Sequence, residues 1–235
     1  MKSTLHPLLL NEGVRGLVFD LDGTLIDSAA DIIGAMRLTF ATAGIGTLPD
    51  DYFPQNLHGT TEGIIRFIAA DMGWALPEDI TGLYRSYVQH QLTMTERSLQ
   101  LYEGVRPVLE ACRDAGLALG ICTNKSHAGA LAATEHVGIQ KLFHFITGAD
   151  TWSHAKPSPV PLLETLRMLD VAPDECLYFG DTSVDAQCAR AAGVRFVLFE
   201  SGYGDPALDT LPRHHVFGHW NEMWAGCDSP ALQEG

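Results

Sequence analysis

Short apolar runs alternate along the chain with segments whose apolar residues recur every three to four positions. The clearest runs cover residues 17–19, 117–122, 176–179 and 194–199, and a weaker one covers residues 143–146. Runs that are apolar at every position are typical of strands buried between two layers of helices. Their alternation with helical segments predicts an α/β fold, a parallel sheet with crossover helices.

Four helical segments follow or separate these runs, at about residues 105–115, 126–138, 159–169 and 184–193. Ser, Asp or Pro stands near the starts of these segments, and Gly follows or ends most of them. This asymmetry is expected of helix termini, because polar side chains cap free N–H groups and glycine adopts the left-handed conformation at the end.

Nearly one hundred residues separate the first two predicted strands, far more than a single crossover needs. Residues 28–102 carry three groups of apolar positions with helical spacing, within residues 32–40, 64–72 and 80–88. We therefore interpret residues 28–102 as a helical domain inserted after the first strand.

The rest of the chain is expected to form one core domain, from residues 11–27 together with residues 103–225. The two ends, residues 1–10 and 226–235, are expected to be tails.

Composition narrows the classes of partner and compartment. The chain has 15 basic and 29 acidic residues and a formal net charge of −14, which disfavours binding to nucleic acid or to anionic lipid. No apolar run reaches the eighteen or so residues of a transmembrane helix, so no membrane partner is expected. The five cysteines are odd in number and show no CxxC spacing, which favours reduced thiols in a cytoplasmic protein.

Two acids end the first predicted strand. Asp20 and Asp22 follow its apolar residues directly, and Gly23 comes next. A solvated turn is one interpretation, since Asp and Gly favour turns. Ligands of open α/β sheets, however, bind at the carboxyl ends of strands. Like charges brought together in such a dry place are usually compensated by a divalent cation.

Polar residues also follow the strand at residues 117–122. Thr123 and Asn124 lie there, just before a predicted helix that begins at Ser126. Hydroxyl, amide and free backbone N–H groups at a helix N-terminus suit a phosphate group. Plain N-capping by Ser126 explains part of the same pattern.

A third polar segment follows the strand at residues 176–179. It contains Asp181 and Asp185, of which a capping box with Thr182 would explain one. Lys156 lies earlier, before a helix start made rigid by prolines. It is either a surface lysine or the cation that balances an anionic site.

Taken together and in this order, the segments resemble the four motifs of the haloacid dehalogenase-like (HAD-like) hydrolase superfamily. The matching residues are Asp20 to Thr24, Thr123, Lys156, and Asp181 with Asp185. The resemblance covers about residues 13–203 and implies a Rossmann-like, doubly wound parallel sheet with an inserted small α-helical cap. The sequences Thr-Asn-Lys, Lys-Pro-x-Pro and Gly-Asp-Thr-Ser-x-x-Asp look most like the phosphoglycolate phosphatase group.

The resemblance implies a role for each acid. Asp20 would attack phosphorus and carry an aspartyl-phosphate, and Asp22 would protonate the leaving group and later activate water. Mg²⁺ would be held by Asp20, by the main-chain carbonyl of Asp22 and by Asp181. Asp185 would orient the waters of the metal.

The resemblance also implies the contacts of the substrate. Thr123 and Asn124 would bind phosphoryl oxygens, and Lys156 would bridge Asp20 and the phosphate. The loop from His58 to Arg66, between two cap helices, is expected either to face the substrate or to be an ordinary turn and helix cap.

The expected function is hydrolysis of a small phosphorylated metabolite, with phosphoglycolate as the first candidate by resemblance. Sugar phosphates, nucleotides and pyrophosphate stay open. A phosphomutase is less expected, because that group has Glu-Asp where this chain has Gly180-Asp181. A non-catalytic protein that binds a phosphate ligand on the same fold is the alternative outside enzymes.

Overall fold

The protein is described here by a computed structural model that covers residues 4–11, 13–54, 57–94 and 97–226. In chain order, the strands are β1 (Gly16–Phe19), β2 (Ile26–Asp27), β3 (Gln100–Leu101), β4 (Ala118–Cys122), β5 (Phe145–Thr147), β6 (Cys176–Gly180), β7 (Arg195–Phe199) and β8 (His215–Phe217). The helices are α1 (Ala29–Thr42), α2 (Thr61–Asp71), α3 (Thr81–Thr93), α4 (Val105–Asp114), α5 (His127–His136), α6 (Val160–Leu169) and α7 (Ser183–Ala192).

The main sheet has six strands in the order β5-β4-β1-β6-β7-β8, and all of its neighbouring strands are parallel. This confirms the predicted α/β fold. Because β1 lies between β4 and β6, the carboxyl ends of these three strands meet side by side. The polar segments predicted to carry chemistry follow these three strands.

Both faces of the sheet are covered, which explains why its strands are apolar at successive positions. Along β1, Leu17 and Phe19 pack into one buried cluster with α4 and α5, whereas Val18 packs into another with α6 and α7. Successive side chains of a strand point to opposite faces, so a strand between two helix layers has to be apolar on both.

The inserted helices have a buried cluster of their own. It joins Met36 and Phe40 of α1 to Ile65 and Ile68 of α2 and to Tyr87 of α3. The chain enters and leaves this region through the antiparallel pair β2–β3, where Ile26 lies opposite Leu101. The division into a core and a cap at residues 28 and 102 stays a prediction, and this separate cluster supports it.

The amino-terminal segment differs from the predicted tail. Leu5 and Leu9 are buried in the core, and Leu5 forms an antiparallel bridge with Trp224. The apolar residues of this segment therefore cover the sheet domain instead of extending into solvent. Strand β8 was also missed, because its three residues, His-Val-Phe, carry too little pattern to identify an edge strand.

Two further expectations concern helices and thiols. Within the described ranges, none of the helices combines the length and the apolar character needed to cross a membrane. Four cysteines, Cys112, Cys122, Cys176 and Cys188, are buried free thiols. Cys227 lies outside the described residues.

Candidate active site

Three buried carboxylates converge at the carboxyl ends of β1 and β6. Asp20 follows β1, and its backbone N–H donates to the Phe179 carbonyl of the neighbouring strand at 2.8 Å. Asp181 follows β6, and Asp185 lies in the first turn of α7. Each of the three offers an oxygen within 4.8 Å of the others. These oxygen atoms could hold a metal ion.

The turn after β1 brings two of these acids together. Gly23 has φ +83°, and a Cβ at this position would lie 2.3 Å from an oxygen of Asp181, so the tight approach requires glycine. The next residue, Thr24, donates its hydroxyl to the other oxygen of Asp181 at 2.7 Å. The Gly-Thr pair of the first motif thus fixes the distance between the loops after β1 and β6.

Lys156 is buried between two of the acids. Its Nζ lies 2.9 Å from Oδ1 of Asp20 and 2.6 Å from Oδ1 of Asp185, and it donates to the Tyr178 hydroxyl at 3.0 Å. Burial alone would lower the pKa of Lys156, but the neighbouring Asp185 and Asp20 raise it. The lysine therefore stays charged, and the interpretation as a surface lysine is wrong.

Asp185 is held mainly by protein groups. One oxygen accepts from Lys156 and from the Tyr178 hydroxyl, and the other accepts from the backbone N–H and the hydroxyl of Thr182 at 3.1 and 2.7 Å. Burial opposes ionisation, but Lys156 and these hydrogen bonds lower the pKa of Asp185. The capping box and the anchoring of Lys156 thus account for both oxygens without invoking the waters of a metal.

The negative charges of Asp20 and Asp181 are less fully stabilised by neighbouring groups than the charge of Asp185. Burial raises the pKa of Asp20, Lys156 partly offsets this rise, and the charge of Asp185 adds to it, so that the pKa is about 6. Burial and the charges of Asp185 and Asp20 raise the pKa of Asp181 well above its usual range. A site that penalises its own negative charges in this way is suited to a cation.

The carboxylate of Asp22 lies outside this cluster and has other partners. Lys125 Nζ donates to both of its oxygens at 3.0 and 3.1 Å, and the Ser28 hydroxyl donates to Oδ1 at 2.5 Å. Neither residue is among the site residues predicted from the sequence. The signal for Lys125 was its place in the Thr-Asn-Lys segment after β4, and that for Ser28 was its place directly before α1.

In the segment after β4, Thr123 and Asn124 have different hydrogen-bond partners. Thr123 is buried beside the cavity described below, and its hydroxyl accepts from the Lys125 N–H at 3.2 Å. The Asn124 amide also borders the cavity but bonds the backbone of Lys156 in both directions, at 2.9 and 3.0 Å. It thereby fixes the loop that carries Lys156, a contact that the prediction of phosphoryl binding did not include.

A cavity of about 50 Å³ lies between these carboxylates and the inserted helices. From the sheet edge it is lined by Asp20, Asp22, Thr123, Asn124, Lys125, Lys156, Thr182, Val184 and Tyr203. From the inserted region it is lined by Ile32, Leu57, His58, Gly59, Thr61, Ile64 and Tyr87. The helices therefore cover the acids closely.

The two residues predicted at the cap loop have different positions. His58 lines the cavity. Arg66 does not: it is exposed, and its guanidinium donates to the Glu78 carbonyl at 3.1 Å. This position supports the alternative of an ordinary turn and helix cap for this part of the loop, and a contact of Arg66 with substrate stays an untested prediction. On α2 the inward face is formed by Thr61, Ile64 and Ile68, and position 66 falls on the opposite side of the helix.

The chain resembles known proteins over most of its length. Residues 17–199 match the family model for haloacid dehalogenase-like hydrolases. Phosphoglycolate phosphatases from Cereibacter sphaeroides and Rhodobacter capsulatus are each 33% identical to it, over 88% and 93% of this chain and 95% and 96% of their own lengths.

A solved structure shows the same fold. The structure of CbbY from Rhodobacter sphaeroides in complex with phosphate superposes with a TM-score of 0.76, over 89% of this chain and 96% of that one. At 21% identity, this likeness concerns the fold alone.

Proposed function

Because this chain belongs to the haloacid dehalogenase-like hydrolase family and resembles its phosphatases, we propose that it is a Mg²⁺-dependent phosphomonoesterase that works through a phosphoaspartate at Asp20. The observation that carries the proposal is the buried contact of Asp20 with Lys156 beside Asp181, at a cavity that the inserted helices also line.

The carboxylates fit a hard divalent cation. Asp20 and Asp181 offer oxygen ligands, which Mg²⁺ prefers, and burial raises the pKa of both groups in the absence of a cation. The main-chain carbonyl of Asp22 is the third proposed ligand. When bound, the ion would offset the charges of the carboxylates and of the phosphoryl group, which otherwise repel one another.

Asp20 is the proposed nucleophile. With a pKa of about 6, most of it is ionised at neutral pH, and Lys156 keeps one of its oxygens in place at 2.9 Å. The other oxygen would attack phosphorus in line with the ester oxygen, so that the new bond to Asp20 forms while the bond to the leaving group breaks. Lys156 would also balance charge on the transferred group, since it is buried and fully charged.

Asp22 is the proposed acid and base. It lies two residues after Asp20, and its carboxylate borders the same cavity. The protonated carboxyl would give its proton to the departing alkoxide, and the resulting carboxylate would take a proton from the water that attacks phosphorus. That attack breaks the bond to Asp20, releases phosphate and restores both acids.

The roof of the cavity supports a small substrate. Its apolar residues, Ile32, Leu57 and Ile64, leave little room, and among the described residues the lysines that line the cavity, Lys125 and Lys156, are both paired with acids. A monophosphate with a short leaving group suits this space better than a bisphosphate. Phosphoglycolate is the first candidate, because the 33% identical relatives are phosphoglycolate phosphatases.

A phosphate-release assay tests the proposal. Wild-type protein, the same protein in EDTA and the Asp20→Asn variant are compared on phosphoglycolate, sugar phosphates, nucleoside monophosphates and pyrophosphate. The proposal expects Mg²⁺-dependent release by the wild type alone. Release that survives chelation would contradict it, isomerised product in place of phosphate would indicate a mutase, and no turnover with retained phosphate binding would indicate a binding protein.

A further inference from the structure

Tyr203, in the loop after β7, is linked by hydrogen bonds through Ser28 to Asp22, the proposed acid and base. The Tyr203 hydroxyl accepts from the Ser28 backbone N–H at 2.9 Å and lies 3.2 Å from the Ser28 hydroxyl. The Ser28 hydroxyl in turn lies 2.5 Å from Oδ1 of Asp22. These contacts form a continuous chain of hydrogen bonds from a tyrosine to the Asp22 carboxylate.

While Asp22 is ionised, the protons of this chain point in one direction. A carboxylate oxygen is an acceptor, so the single hydroxyl proton of Ser28 is donated to Asp22. The Ser28 oxygen is then the acceptor of the proton of Tyr203. The phenol of Tyr203 carries one proton, which it can donate along this contact of 3.2 Å.

Ser28 occupies the N-cap position of α1, but its side chain does not cap the helix. It precedes the first residue of α1, where a serine side chain normally accepts from a backbone N–H of the first turn. Here the side chain makes no such bond, and the hydroxyl is turned to Asp22 instead. The first N–H of the helix donates instead to the Asp27 carboxylate at 3.3 Å, and the Ser28 hydroxyl serves Asp22.

Tyr203 contacts both the edge of the sheet and the inserted region. Its backbone N–H donates to Asp181 at 2.8 Å, and a Cβ at the preceding Gly202 would lie 2.3 Å from the Gly23 carbonyl oxygen. Its ring packs on a small buried cluster formed by residues of the inserted region, Ala29, Ile32 and Leu57. Such a support can orient a neighbouring group to within a fraction of an ångström.

We propose that Tyr203, acting through Ser28, is a positioning residue that fixes Oδ1 of Asp22 and leaves Oδ2 to exchange the proton with the leaving group and with water. Lys125 donates to both oxygens, at 3.0 Å to Oδ1 and 3.1 Å to Oδ2, so the contact with Ser28 is what distinguishes Oδ1 from Oδ2. The inference rests on the proposed function, since it needs Asp22 to be the acid and base of the reaction.

The test separates proton donation from the rest of the reaction by the choice of leaving group. An alkoxide such as glycolate has to be protonated as it departs, whereas the acetate of acetyl phosphate leaves without help. The two substrates are of similar size and give the same phosphoaspartate. The ratio kcat/KM reports the steps up to departure of the leaving group and excludes the later hydrolysis.

For Tyr203→Phe we expect kcat/KM for phosphoglycolate to fall about tenfold, which corresponds to the loss of one well-placed hydrogen bond of about 1.4 kcal/mol. If the substrate panel selects another alkyl phosphate, that compound replaces phosphoglycolate in the test. We expect kcat/KM for acetyl phosphate to stay within about twofold of the wild type. Ser28→Ala should show the same selectivity and carries the test if Tyr203→Phe does not fold. Tyr52→Phe removes a tyrosine hydroxyl that donates to Asp71 on the cap, away from the cavity, and should change neither value.

An equal loss on both substrates would assign Tyr203 a merely structural role, and no loss on either would show that Asp22 does not need it; both outcomes overturn the inference. Failure of the proposed function looks different, because the wild type would then turn over neither substrate in a Mg²⁺-dependent way, and the inference would fail with it.

Discussion

The cavity has a floor from the sheet edge and a roof from the inserted helices, and their side chains are held in different ways. On the floor, Asp20 and Lys156 line the cavity and lie 2.9 Å apart, and Asp181, which does not line it, offers an oxygen within 4.8 Å of one of Asp20 and accepts from the Tyr203 backbone N–H. All three are buried ionisable groups. On the roof, Leu57 and Ile64 are apolar residues that pack against other apolar residues of the inserted region.

This difference indicates that the floor determines the reaction, whereas the roof can determine which substrate is accepted. Removing one charge from the floor leaves another buried without a partner, which is costly, so the floor tolerates little change. An apolar roof residue can be exchanged for another of different size at a smaller cost. We therefore expect changes in the floor to abolish turnover and changes in the roof to alter the choice among substrates.

The largest effect is expected from removing the nucleophile. Asp20→Asn keeps the size of the side chain but loses the attacking carboxylate, so kcat should fall by about 10⁴-fold or more. Steady-state phosphate release measures this loss. Asp114→Asn, an exposed acid of α4, is the control and should match the wild type. Asp20→Asn retaining more than a few per cent of the activity would contradict the assignment of the floor.

The two lysines of the floor should differ in their effect on stability. Lys156→Met leaves Asp20 and Asp185 buried side by side, so we expect the free energy of unfolding to fall by about 3–5 kcal/mol. Lys125→Met leaves only Asp22, whose side chain is 17% exposed, and should cost about 1–2 kcal/mol. Urea unfolding of both variants tests this order. Equal losses would show that the two ion pairs are not distinguished by burial.

The metal-free floor should make stability depend on pH. The folded pKa of Asp20, about 6, lies above its usual value of 3.8, so the folded state binds the proton more tightly than the unfolded chain does. The resulting stabilisation is complete below pH 3.8 and is lost as the pH rises through 6; its full size is of the order of 1–3 kcal/mol.

The free energy of unfolding, measured in EDTA at pH 5 and at pH 7, tests this loss of stability. The wild type should lose more stability between these values than Asp20→Asn does. A variant that loses as much as the wild type would show that Asp20 is not the group responsible.

The smallest effects are expected from the roof. His58→Ala should change kcat/KM for phosphoglycolate by about threefold to tenfold, because His58 lines the cavity. Arg66→Ala should stay within about twofold, because its guanidinium bonds the Glu78 carbonyl away from the cavity. A larger effect of Arg66→Ala than of His58→Ala would mean that the cap rearranges when substrate binds.

The sequence predicted the fold and the grouping of the acids on physical grounds. Strands with no polar position require helices on both faces, and acids directly after such strands have to share one edge of a parallel sheet. The structure accordingly brings Asp20, Asp181 and Lys156 together, although 161 positions separate the first acid from the second.

Other features depend on contacts that a single sequence does not display. Tyr203 and Ser28 are 175 positions apart, and neither stands in a pattern that indicates the other. For Arg66 the helix was predicted, but the side of the helix that meets the substrate depends on how the cap is placed over the sheet. Only the folded arrangement supplies that information.

Calorimetric titration with Mg²⁺ tests most directly the claim that the floor is built around a divalent ion. The account predicts that the wild type binds one catalytic ion and that Asp20→Asn and Asp181→Asn each lose this binding, while Asp114→Asn keeps it. Binding of Mg²⁺ by Asp181→Asn with the affinity of the wild type, or no binding by the wild type at all, would contradict it.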